Sequence, residues 1–178
     1  GVPRAQIQRL VEQAAREGWI ENPVGYNWIV RLGIASEEDY LKFYRFREVI
    51  EPSAVLEPGY APDLEELDRL IEMQHSLAAG KYADLNAADI FDINVEIHET
   101  IVSWSGNIFF LDALRRANAL RRIIEYSKVM ATNRIDAFAR DHLTILEAIR
   151  AADYGRASVL LREHLSVARK LKAKVGAG

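Results

Sequence analysis

The run Asp92-Ile93-Asn94-Val95-Glu96-Ile97-His98 is the part of the chain whose residue types and spacing could do chemistry. At helical period, Asn94 and His98 lie one turn apart on the stripe of Ile90, Ile97 and Ile101, which is the stripe expected to face a core. His142 falls on the stripe Phe138, Ala139, Ile145, Ile149, and His164 on the stripe Ala157, Leu160, Leu161, Ala168. Three of the four histidines are therefore predicted to point inward. A lone inward histidine is usually a core residue bonded to a carbonyl or carboxylate. Imidazoles converging from separate helices are more simply satisfied by a metal ion or a bound polar ligand. Asn94, His98, His142 and His164 could form a mononuclear site with positions open for water or an acid. The neutral amide of Asn94 brings no charge, so the divalent cation such a site takes is expected to be loosely held. His75 lies at the edge of its helix's apolar stripe and reads as a surface residue.

These residues must be positioned by helices. Ile7, Leu10, Val11, Ala14 and Ala15 predict a short helix over residues 2–17, stopped by Gly18. Trp19-Ile20-Glu21 and Tyr26-Asn27-Trp28-Ile29-Val30 read as two short strands around the turn Asn22-Pro23-Val24-Gly25. Helix followed by hairpin is half of a winged helix; the two helices that normally precede it would lie upstream of Gly1. A hairpin and one helix have too little core to stand alone. Residues 31–35 read as a linker, and Ser36 with Asp39 as a helix start. The rest reads as helix after helix: residues 37–57, kinked or split by Pro52; one capped by Asp63 with Glu66 and closed by Gly80; and one from Asn86 to the breaker Ser105-Gly106-Asn107. Helices over 108–130, 134–150 and 154–172 follow, with a fraying tail from Lys170. The fold class is thus all-α, an antiparallel helical bundle (residues 34–178) preceded by a partial winged helix (residues 1–33).

The stripe of the helix over 108–130 turns from Phe110, Leu111 and Leu114 to Asn118, Arg121 and Glu125. Arg121 is either salt-bridged to Glu125 one turn on or a fork for the carboxylate of a bound acid, with Asn118 beside it. Arg47, among Tyr44, Phe46 and Ile50, is a second candidate. Bulk properties fit this picture. The chain has 178 residues, 49% hydrophobic and 28% charged, enough for one good core. Its net charge of −3 excludes a generally basic nucleic-acid binder, and the absence of cysteine excludes thiolate metal sites. No apolar run reaches membrane-spanning length and no signal-peptide pattern opens the sequence, so a cytoplasmic address is expected.

Several runs resemble a known family. Gly1 to Leu10, ending in Arg16-Glu17-Gly18-Trp19-Ile20, is similar to the recognition helix and first wing strand of GntR-type bacterial transcription regulators. Arg45 to Pro52, Asn94-Val95-Glu96-Ile97-His98, Ser105-Gly106-Asn107, His142-Leu143-Thr144-Ile145 and His164-Leu165 resemble the effector domain of the FadR-like branch, the FCD domain. The resemblance implies an N-terminally incomplete, homodimeric regulator that is not an enzyme. Its helical domain would bind a small carboxylate metabolite, often on a metal such as zinc or nickel, and alter binding to a DNA operator. The family's metal ligands, an Asp or Asn and three His, fall on Asn94, His98, His142 and His164. Asn94 stands where Asp is commoner, and Gln8 where the recognition helix often has arginine. Arg4, Gln6 and Arg9 remain as phosphate or base contacts.

The rival is a metal-dependent hydrolase on a helical bundle, with Glu96, Glu99 or Asp141 as general base. Glu96 and Glu99 fall off the stripe of His98. A ferritin-like di-iron centre is disfavoured, because Val95 and Ala139 stand three residues before His98 and His142.

Overall fold

The computed structural model describes residues 2–16, 20–22, 27–30, 36–125 and 132–173. It shows α1 (Arg4–Arg16), β1 (Ile20–Glu21), β2 (Ile29–Val30), α2 (Glu37–Ala54), α3 (Leu64–Ala78), α4 (Ala87–Ser103), α5 (Ile108–Glu125), α6 (Thr132–Arg150) and α7 (Tyr154–Ala173). The expected stop at Gly18, the turn residues 23–25, the linker 31–35, the helical stretch 126–130 and the tail 174–178 lie outside the described residues. Strands β1 and β2 pair antiparallel, with Ile20 opposite Val30 and Glu21 opposite Ile29. Helix α1 packs on β1. Ile7 and Leu10, the expected inward stripe of α1, are half exposed.

Helices α2 to α5 begin where their caps say they should. The Ser36 side chain accepts from the Asp39 amide, and that of Asp63 from the Glu66 amide at 2.9 Å. Asn86 and Asp89 form a full capping box, the Asn86 side chain accepting from the amides of Ala88 and Asp89 and Asp89 accepting from the Asn86 amide. Asn107 accepts from the Phe109 amide at 3.1 Å and so starts α5. The Glu66 side chain does not reach back to its cap; it accepts from Trp104 Nε1 at 3.1 Å and ties α3 to the end of α4.

Two expectations are corrected. Pro52 does not split its helix in two: it sits in the final turn of α2, which runs on to Ala54. A proline this close to the end disturbs little helix beyond it, and its carbonyl accepts from Ser158 Oγ at 2.9 Å, fastening α2 to α7. Lys170 does not begin a frayed tail, since α7 stays helical to Ala173. The side chain of Arg169 explains part of this, donating to Glu48 on α2 at 2.8 Å.

Helix α2 lies against α7, α5 and α4, while α3 lies against α6, α6 against α7 and α4 against α5. The main core gathers Leu67 and Leu70 from α3, Ile97 and Ile101 from α4, Leu146 and Ile149 from α6, and Leu161 and Leu165 from α7. Burying a side chain of this size contributes roughly 1.5–3 kcal/mol, so this cluster dominates the stability of the bundle. A separate cluster of Leu77, Ile135 and Ala139, with Ile90 and Ile93 packed against it, joins α3, α4 and α6 beside the histidines. Among the described residues no helix is long and apolar enough to cross a membrane.

Candidate metal and effector site

The three bundle histidines meet. His98 on α4, His142 on α6 and His164 on α7 are all buried, and one ring nitrogen from each lies within 4.8 Å of the others. The rings pack at centroid distances of 5.2 Å (His98 to His142), 5.4 Å (His98 to His164) and 4.5 Å (His142 to His164). Each Nδ1 is held from behind by an oxygen of a neighbouring helix. His98 Nδ1 lies 2.6 Å from Glu51 Oε2, His142 Nδ1 3.0 Å from Gln74 Oε1, and His164 Nδ1 3.2 Å from Asp141 Oδ2.

Those three oxygens can only accept, so each Nδ1 carries the proton and each Nε2 presents a lone pair. The consequence is electrostatic. His142 Nε2 and His164 Nε2 sit 3.1 Å apart, and His98 Nε2, buried, has no hydrogen-bond partner. Lone pairs this close repel unless a positive charge lies between them. A proton would satisfy two nitrogens; three nitrogens with the same tautomer fit a metal ion, whose histidine ligands are held in this way from behind.

Burial, opposed by Glu51, depresses the His98 pKa to about 3. Burial and the other two imidazoles hold His142 well below its usual value. Both are therefore neutral and ready to donate a lone pair at neutral pH. In the metal-free protein, the unfolded chain takes up protons at these two rings below about pH 6.5 that the folded chain refuses, so stability falls as pH falls. We expect the loss to begin near pH 6.5 and reach about 1 kcal/mol per pH unit for each ring, read as the melting temperature of chelator-treated protein. A melting temperature constant down to about pH 5 would contradict it.

Behind the triad lies a second buried group of charges. Glu51, fully buried, is ion-paired to the buried Arg47 as well as to His98. Burial raises a carboxyl's pKa, yet Arg47 and His98 together outweigh it and hold Glu51 down at about 2. Arg121, also buried, donates to Asn94 Oδ1 at 3.1 Å and weakly to Tyr44 Oη at 3.5 Å. Among the described residues no carboxylate makes an ion pair with it; the Glu125 side chain lies outside them. Burial lowers the Arg121 pKa to about 10, which leaves it charged at neutral pH. The two guanidiniums share Phe43, their carbons lying 5.5 Å and 5.4 Å from its ring centre, and Arg121 also lies 4.8 Å from that of Phe91. Two buried cations thus face one buried anion.

Arg47 Nη2, Arg121 Nε and Asn118 Oδ1 are buried without a partner, while Asn118 Nδ2 donates to Glu99 at 2.9 Å. Asn94 lies one turn before His98, but its oxygen is engaged by Arg121. A cavity of about 30 Å³, partly open to solvent, adjoins the triad. Its polar end is Gln74, Asn94 and His142, and its walls are Leu77, Ile90, Ile93, Ile135, Phe138 and Ala139.

Sequence spacing found the histidines, Asn94, Asn118 and both arginines, but missed Glu51 and Gln74 as partners and weighed Asp141 only as a base. Glu51 carried a signal, an acid four residues after Arg47 on an inward stripe. Gln74 carried none beyond its position among Leu67, Leu70, Ile71 and Leu77. The bases a hydrolase would need already have partners: Glu96 pairs with Arg69 at 2.7 Å, Glu99 with Arg115 and Asn118, and Asp141 with the triad's own His164.

The FCD domain family matches residues 42–167, which carry every residue of this site. A search of curated proteins returns no match. Among solved structures, Lar of Listeria monocytogenes, which controls the expression of the agr system and mediates virulence, is 12% identical with a TM-score of 0.75, over 98% of this chain and 81% of that one. A GntR protein of Rhodococcus sp. RHA1, assigned as a transcriptional regulator, is 17% identical with a TM-score of 0.71, over 97% of this chain and 81% of that one. These likenesses extend the fold over nearly the whole chain. By the match to its own residues the chain belongs to the FCD family, the effector-binding domain of FadR-like GntR-type transcriptional regulators, and not to the hydrolases.

Proposed function

We propose that the bundle senses a small organic acid at a metal held by His98, His142 and His164, and passes its presence to DNA-binding residues on α1. The carrying observation is the inward convergence of three Nε2 lone pairs, two of them 3.1 Å apart, beside a buried guanidinium that no described carboxylate pairs. A divalent ion, zinc or nickel, would supply a Lewis-acidic point for the acid's carboxylate. The protein's own part is to orient the rings through Glu51, Gln74 and Asp141. Glu51 and Asp141 also supply the negative charge that Asn94 does not. Asn94 can serve as a fourth ligand by releasing Arg121 to the effector.

Arg121, Arg47 and Asn118 complete the acid's site: two buried cations against one anion leave a net positive field that an incoming carboxylate neutralises. Because a buried cation without an acid partner costs stability, Arg121→Met should leave the melting temperature unchanged or raised while removing the response to acid. Lost stability with an intact response would contradict this assignment.

Residues 1–33 form the DNA-contacting unit and residues 34–178 the effector unit in this reading. Arg4, Gln6 and Arg9 are exposed on α1, free to meet phosphates and base edges. The active species is a homodimer, so that effector binding changes how two recognition helices are spaced over an operator. An acid acts only through its differing affinity for the two arrangements. The test is to titrate organic acids into the zinc-loaded dimer while measuring operator affinity. A change of about 5–150-fold is expected for a coupling of this kind; unchanged affinity despite proven acid binding refutes the sensor reading.

A further inference from the structure

The cavity beside the triad has a composition that narrows the class of acid, given the sensor reading on which this inference rests. Among the described residues that line it, the polar ones stand at the triad end: Gln74 is bonded to His142, and Asn94 lies one turn from His98. Gln74 is buried, its Oε1 is held by His142, and its Nε2 has no partner, so that end offers an unused donor to an oxygen of the ligand. Asn94 is itself held by Arg121, which brings the positive field to the same end. Away from it the walls are Leu77, Ile90, Ile93, Ile135 and Phe138, with no charged or hydroxyl-bearing side chain among them. A second carboxylate or a row of hydroxyls lying along these walls would lose its water and find no partner.

We propose that the effector is a monocarboxylic acid with an unsubstituted apolar body, its carboxylate at the histidine and arginine end and its body along the Ile90–Phe138 walls. The cavity is small, about 30 Å³, which favours a body of a few carbons over a long acyl chain. A dicarboxylate or polyhydroxy acid of equal length fits the polar end but not the walls.

The test is a chain-length series, acetate, butanoate and hexanoate, beside succinate and malate. All are titrated into zinc-loaded protein and read by calorimetry and by the imidazole resonances of the triad. Affinity should rise about fourfold for each methylene that enters the walls. Butanoate should bind at least about tenfold more tightly than succinate, which has the same number of carbons and a second charge. Ile90→Ser should flatten the rise along the series. If affinity is flat along the series, or succinate or malate binds more tightly than butanoate, the apolar-acid inference fails and the acid-sensor reading stands. If no acid, acetate included, shifts the imidazole resonances, both fail. Because the wild-type series decides the question alone, a poorly folded Ile90→Ser protein does not rescue either.

Discussion

Replacing His142 with alanine should cost the protein its zinc. Structural zinc sites yield roughly 10–16 kcal/mol over four ligands, so one ligand accounts for roughly 3–4 kcal/mol, or two to three orders of magnitude in affinity. His142 is the ring to remove because it is buried, faces both other histidines and lines the adjoining cavity. The metal-free protein should suffer far less, since the substitution also removes the 3.1 Å approach of two Nε2 lone pairs. Gln74→Ala acts through His142 and not on the metal, so its effect on zinc affinity should be about 10–100-fold. Competitive titration against a zinc-binding dye measures all three proteins. Equal zinc affinity in wild type and His142→Ala would place the metal elsewhere.

The second large effect is on folding. Glu51→Ala should destabilise the metal-free chain by about 3–5 kcal/mol, because it leaves a buried guanidinium without its acid partner. The setting makes this severe: Arg47 and Glu51 are each 1% exposed or less, Arg121 adds a second cation nearby, and the His98 Nδ1–H would lose its acceptor. For a chain of this length each kcal/mol moves the melting temperature by about 2–4 °C, so a fall of roughly 6–20 °C is expected. Glu51→Gln keeps an oxygen for His98 and removes only the charge, and should fall between the two. It should also weaken zinc about 10–100-fold, because the ring it orients becomes a poorer donor. A Glu51→Ala protein melting with wild type would show that Arg47 finds water or another acid, and would remove Glu51 from the account.

Much of the bundle and its histidines was legible in the sequence, for reasons particular residues illustrate. Asp63 and Asn86 announce helix starts because their side chains accept the amides that begin α3 and α4. His98, His142 and His164 declare themselves because a 3.6-residue period fixes which way a helical side chain points. What period cannot supply is the partner across the bundle. The reach of Glu51 to His98 spans 47 residues and that of Gln74 to His142 spans 68, and both depend on which helix packs beside which. The split expected at Pro52 is absent for a related reason: local rules forbid proline mid-helix, but it lies in a final turn fastened by Ser158 from 106 residues away. Asn94 reads by position as a ligand, whereas its contact with Arg121 needs the packing of α4 on α5.

The most direct measurement is metal analysis joined to X-ray absorption on zinc-loaded protein, wild type beside His164→Ala. The expected result is one zinc per chain with three imidazole nitrogens around it, falling to two or to none in the variant. Zinc that is absent, or bound with a coordination shell that His164→Ala leaves unchanged, would contradict the assignment of these three rings to a metal centre.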